Sequence, residues 1–256
     1  MALSPNRTSL FSQITVTHGP APLLGRSLLK AEDAALRRGV RLSFASLNDL
    51  LQLNRNNRDT WLPLISLFDP TLNDLSEDQA FCILGSNKDG EIVAAQAGRL
   101  YDWPDTSYHE EASNLRLLYT NPSRSKLPDE GCRVSALAAK GITGRVLFSG
   151  AAWYRPDYRG CGLVEILPRI ARAYAYTRWN TDCTVTMMSE TNFKKGVFPR
   201  NGYRNAEWDV QLINSRMGTI RFVLLWIKPD EMLDDLGSFL DHFDAEIDGV
   251  RASGTQ

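Results

Sequence analysis

Apolar positions along this chain alternate between two rhythms, one helical and one extended. Leu24, Leu28, Ala31, Ala35 and Leu36 recur at helical spacing, and Gly39 is a natural stop, so the first helix is expected to end there. Val40 to Phe44 alternates apolar with polar, as a half-buried strand does. A second helix is expected to open at Ser46, with Asp49 spaced as its capping-box partner. Its apolar side carries Leu47, Leu50, Leu51 and, after a break, Trp61. Residues 80–85 and 91–97 are apolar runs around Asn87-Lys88-Asp89-Gly90, and Asp-Gly suits a tight hairpin turn.

The rhythm lapses between residues 101 and 143. That stretch holds Pro104, Pro122 and Pro128, with one short helix expected near 110–118, and long connections of this kind usually carry function or mobility. It resumes at 145–154 with a central strand, then a Pro-Asp turn, then a helix with Leu163, Ile166, Leu167, Ile170, Ala171 and Tyr174 on one face. Pro168 requires that helix either to begin near Val164 or to kink, because an interior proline deletes a hydrogen bond. Residues 183–189 read as a strand, 192–200 as a short helix, 206–213 and 219–228 as two closing strands, and 229–243 as an acidic helix. Residues 1 to about 22 have little periodicity and read as a loose arm.

Composition narrows the function classes. A formal net charge of −1 over 256 residues gives no reason to expect nucleic acid as a partner. No apolar run approaches the roughly 20 residues of a membrane helix, and no signal-peptide core is seen, so a cytoplasmic protein without membrane partners is expected. Cys82, Cys132, Cys161 and Cys183 lack metal-ligand spacing, so no metal is expected and reduced thiols are the simpler reading.

Candidate chemistry centres on Arg159-Gly160-Cys161-Gly162-Leu163-Val164, which joins a strand to a helix. A helix N-terminus offers unsatisfied N–H groups and a partial positive charge, and glycines let a phosphate approach the backbone. Arg159 adds a fixed charge. A dinucleotide fingerprint would need a small residue where Glu165 stands, and a Walker loop would need Gly-Lys-Ser/Thr. The passage from Trp153 to Leu163 resembles motif A of the Gcn5-related N-acetyltransferase (GNAT) superfamily, Arg/Gln-x-x-Gly-x-Gly/Ala, with Arg159, Gly162 and Val164 at its three fixed positions. Val164 is larger than the residue usual there. Asn192 and then Phe198-Pro199-Arg200-Asn201-Gly202-Tyr203 resemble the family's downstream Asn…Tyr-x-x-x-Gly-Phe segment.

The resemblance implies an α/β (α+β) fold: a mixed, largely antiparallel central sheet, splayed between its fourth and fifth strands and flanked by helices, with an N-terminal extension. Residues 40–228 would form the acyl-CoA N-acyltransferase domain with 101–143 inserted, after an arm and helix at 1–39 and before a helix and tail at 229–256. It implies acetyl-CoA or another acyl-CoA as cosubstrate, with Trp153 and Tyr154 along the pantetheine arm. Gly160, Cys161, Gly162, Leu163 and Val164 would lie at the pyrophosphate, and Asn192, Phe193 and Phe198 beside the pantetheine or acyl group. The acceptor would be an amine of a small molecule or peptide, and a homodimer is left open.

Direct attack on a thioester needs a neutral amine, a base or water chain to take its proton, and a donor for the departing thiolate. Phe198 stands where the family often has a tyrosine, and it cannot donate. Tyr203, Tyr154 or water are the substitutes, with none selected by the sequence, and Glu190 is the first candidate base, with His109, Glu110 and Glu111 second. The competing reading is a CoA-binding module without catalysis.

Overall fold

A computed structural model describes residues 9–253, with side chains described through residue 241. Helix α1 (Ala21–Arg37) leads into β1 (Arg41–Ala45) and α2 (Leu47–Asn56), followed by the hairpin β2 (Ala80–Ser86) and β3 (Ile92–Trp103). The 101–143 region contributes the end of β3, α3 (Tyr108–Ser113), α4 (Pro122–Ser125) and β4 (Gly131–Val134). Then come β5 (Gly144–Tyr154), α5 (Leu163–Trp179), β6 (Cys183–Ser189), the short helices α6 (Glu190–Lys194) and α7 (Val197–Arg200), the pair β7 (Asn205–Ser215) and β8 (Gly218–Ile227), and α8 (Pro229–Ser253).

These strands form one sheet in the order β1-β2-β3-β5-β6-β8-β7-β4. Every neighbouring pair is antiparallel except β5 and β6, which run parallel through the crossover α5. This is the mixed sheet the resemblance implies, with one strand more. That strand, β4, pairs on the outer edge of β7 from Gly131↔Ile213 to Val134↔Val210. Its four residues, two of them Gly131 and Cys132, offer too little alternation to be read as a strand in isolation.

Two cores lie on opposite faces. One gathers Leu50, Phe68, Trp103, Tyr108, Leu117, Val146, Phe148 and Trp153, so the insertion folds down as the cover of that face. The other gathers Leu24, Leu28, Leu147, Ile166, Ile170, Val223, Met232 and Leu236, where α1, α5 and α8 pack together. Along α1 the predicted face is buried except Leu36, which is 54% exposed because it lies about 100° round the helix from its fully buried neighbour Ala35. The segment expected to be a loose arm is held down from Ser9 onward. The Glu32 carboxylate accepts from Ser9 Oγ and from the backbone N–H groups of Leu10 and Phe11, and Leu10 is buried. Residues 1–8 and 254–256 lie outside the described residues.

The capping box of α2 forms in full. Ser46 Oγ accepts from Asp49 N at 3.1 Å and the Asp49 carboxylate accepts from Ser46 N at 3.2 Å. Ser46→Ala is expected to cost about 1 kcal/mol in urea denaturation, with an unchanged slope. In α5 the helix starts at Leu163 and passes through Pro168 in its second turn.

Candidate active site

The sheet opens between β5 and β6. Only three pairs join them, Val146↔Cys183, Leu147↔Thr184 and Phe148↔Val185. Beyond these, β5 stays with β3 as far as Ala94↔Tyr154, while β6 stays with β8 as far as Ser189↔Phe222. Residues 149–154 and 186–189 therefore face each other as unpaired edges, the splay expected between the fourth and fifth strands. A bulge in β5 drives the divergence. The register slips between Ala95 and Ala97, which pair with Trp153 and Gly150, and Ala151 takes φ +51°. Bulges bend a strand and sharpen its twist, and they often mark functional edges. Ala152, near the centre of the sheet, is exposed as a result.

The N-terminus of α5 follows directly from this strand. Gly160 (φ +83°) and Gly162 (φ +80°) turn the chain, and Gly162, as N-cap, supplies no side chain to the first-turn amides. Other residues avoid this left-handed region at a cost of about 1–2 kcal/mol. Arg159 donates Nε to the Tyr154 carbonyl (3.1 Å) and Nη2 to the Thr60 carbonyl (3.1 Å). Both acceptors are neutral carbonyl oxygens. A second arginine, absent from the sequence reading, joins the loop: Arg38, just past α1, donates Nε to the Cys161 carbonyl at 2.6 Å. Its only linear signal is a position one residue before Gly39. Arg155, by contrast, is spent on Asp157 and Glu91.

Around the opening, Trp153 is buried and stacks on Trp61 with centroids 5.3 Å apart, its indole N–H donating to Thr60 Oγ1. Phe193 stacks on Phe198 (5.6 Å) and meets Trp208 edge-on (5.7 Å), while Asn192 is exposed beside them. Leu163 is buried; Val164 is half-buried and Cys161 exposed.

The three candidate catalytic residues stand in different surroundings. Tyr154 packs on the helical face, and its hydroxyl donates to the Leu163 carbonyl at 3.4 Å. Burial pushes its phenol well above the ordinary range. Glu190 opens α6 and pairs with Lys194 at 2.7 Å, which holds its carboxyl below the usual value. Tyr203 is buried behind the opening, in the helical-side core beside Ser149 and Arg172. Burial pushes its hydroxyl up to about 12, against the downward pull of Arg172 and Ser149. Of the secondary candidates, Glu110 accepts from Thr106 Oγ1. Burial raises Glu111, but hydrogen bonds from Arg116 and Thr106 outweigh it and leave it lowered, which marks a local brace of the insertion. Gln96, Ser149, Arg172 and Asp235 also reach this region, and no linear motif joins them.

Among the described residues no group of three His, Cys, Asp or Glu side chains gathers as a metal site, and no helix is long and apolar enough to cross a membrane. No family model and no curated protein matches the chain. Solved structures with a similar chain path include a point mutant of the spermidine N-acetyltransferase SpeG from Vibrio cholerae, at 10% identity and TM-score 0.45, covering 76% of this chain and 96% of that one. NAA60 from Arabidopsis thaliana in complex with acetyl-CoA is similar at 12% identity and TM-score 0.47, covering 75% and 99%. An uncharacterized protein from Bacillus halodurans aligns at 12% identity and TM-score 0.46, covering 79% and 91%.

Proposed function

We propose that this chain is an acyl-CoA-dependent N-acyltransferase of the GNAT kind, transferring an acetyl or acyl group to an amine of a small molecule or peptide. One observation carries the reading: the β5 and β6 edges part directly before the glycine turn that starts α5. A slot between strands suits an extended pantetheine arm, and a capless helix start suits a diphosphate. The fit is supported by Ala152, exposed in mid-sheet, and by Gly160, where an added Cβ would meet nothing within 4 Å.

In this reading the amides of residues 160–164 and the Arg159 guanidinium hold the diphosphate. The unpaired β5 edge beyond the bulge offers N–H groups to the thioester oxygen, where charge develops during attack. The amine nitrogen bonds to the carbonyl carbon as the C–S bond breaks. Tyr203 gives its proton to the departing sulfur, since Phe198 has none and Tyr154 is engaged with Leu163. The amine's proton leaves to Glu190 or to water in the groove, and Glu190→Gln decides between them, because general-base help is typically worth about 10² to 10⁴ in rate.

Titration calorimetry with acetyl-CoA is expected to show saturable binding, and no heat at millimolar ligand would overturn the proposal. An amine panel followed by free-thiol release then separates an enzyme from a module that only binds CoA. The second reading is favoured by one observation, the weakening of Glu190 as a base by Lys194.

A further inference from the structure

Behind the opening, on the helical side of the sheet, runs a buried polar chain that crosses four elements. Ser149, the first β5 residue past the last β5–β6 pair, receives Gln96 Nε2 at 3.0 Å. The Tyr203 hydroxyl faces Ser149 and Arg172, yet it makes no well-aligned hydrogen bond among the described residues. Arg172 is fully buried, lies over the Tyr203 ring at 4.7 Å, donates Nη1 to the Asn201 carbonyl at 2.9 Å and reaches Asp235 at 3.4 Å. Asp235, on α8, also takes both Nε (2.9 Å) and Nη2 (2.8 Å) of Arg169.

Two arginines thus share one largely buried carboxylate. An incompletely matched buried charge is costly, and anything nearby that can turn negative relieves it. The group so placed is the Tyr203 hydroxyl. We propose that Asp235 and Arg172 are positioning residues through which the C-terminal helix α8 sets how readily Tyr203 releases its proton toward the opening. This deepens the acyltransferase reading and rests on it for the use of that proton. In the step concerned the leaving sulfur takes the Tyr203 proton as the C–S bond breaks. The tyrosinate that remains, stabilised by Arg172, is reprotonated from solvent.

The groups that bear on Tyr203 are Arg172 on α5, Ser149 on β5, Cys183 on β6 and, through Arg172, Asp235 on α8 with its second partner Arg169. The signs of two substitutions are opposite. Asp235→Asn removes the shared carboxylate charge, strengthens the field of the two arginines and lowers the Tyr203 pKa. Arg172→Gln removes the adjacent cation and raises it. An opposite charge at this range is typically worth about one unit or more, a tenfold change in acidity.

The test uses the full chain labelled with 3-fluorotyrosine, whose fluorine brings phenol ionisation into a milder pH range. The Tyr203 resonance is assigned by its loss in Tyr203→Phe. Without coenzyme present, Asp235→Asn is expected to shift its titration down by about one unit and Arg172→Gln to shift it up by at least as much. The alkaline limb of kcat should move the same way. An unmoved Tyr203 titration in either folded variant overturns the proposal, and each variant decides alone if the other does not fold. If the titrations shift as expected while no amine yields free thiol, the acyltransferase reading fails and the coupling of α8 to Tyr203 stands.

Discussion

Arg159→Glu is expected to weaken acetyl-CoA binding by about tenfold to a hundredfold, equivalent to roughly 1.4–2.7 kcal/mol. Charge-assisted hydrogen bonds are worth about 1.5–3 kcal/mol, and the new carboxylate adds repulsion toward a diphosphate at the same helix start. Arg159→Ala separates the parts, since it loses the attraction without adding the repulsion, and its affinity should fall between the two. Because Arg159 also ties the Thr60 carbonyl to the turn, part of the loss in both variants reflects release of that loop. Calorimetry at two salt concentrations isolates the charge contribution, which shrinks as screening grows. An affinity for acetyl-CoA that Arg159→Glu leaves unchanged would remove the phosphate role from this turn.

The largest stability effect belongs to Gly202. Its φ of +79° is left-handed, and a Cβ there would sit 2.5 Å from Asp235 Oδ2, 2.6 Å from Arg172 Nη2 and 2.8 Å from Arg169 Nη2. None of those atoms is the free end of an exposed chain; all three are pinned in one buried ion cluster. Gly202→Ala therefore combines backbone strain of about 1–2 kcal/mol with a displaced buried pair, for a total of about 2–4 kcal/mol. Gly39→Ala supplies the control. Its φ is +74°, nothing lies within 4 Å of the added Cβ, and only the backbone cost of about 1–2 kcal/mol should appear. Urea denaturation followed by circular dichroism compares the two, and equal losses would mean that the cluster yields to the methyl group.

Much of the candidate site was legible because its signals are local. The glycine turn, Arg159 and the apolar face of α5 are consecutive or helically spaced, so their placement follows from backbone geometry over a few residues. Trp153, Tyr154, Asn192, Phe193 and Phe198 were placed by motif resemblance, and Phe193 and Phe198 do come into ring contact. Tyr203 was nominated only as a substitute donor. Nothing near it in the chain announces Ser149 or Arg172, which stand 54 and 31 residues away by number. On α5, Arg169 and Arg172 went unremarked in the sequence, because the carboxylate they share, Asp235, lies on a distant helix.

The insertion shows the same boundary from the side of the fold. Its prolines and glycines correctly broke the rhythm, but they could not reveal that Tyr101, Trp103, Tyr108, Leu117 and Tyr119 would meet as a cover over one face. The acidic helix at the C-terminus was legible as a helix, yet its docking on α1 and α5 and the reach of Asp235 into the centre were not.

By itself, then, the chain determines its helices, its hairpin, its central strand and the glycine turn that starts α5, since each depends on dihedral preferences and spacing within a few residues. Tertiary structure alone decides where β5 and β6 separate, which arginines stand beside the turn and which charges surround Tyr203. Those features arise from pairings and burial between distant segments, where side-chain identity acquires meaning only once its neighbours are in place.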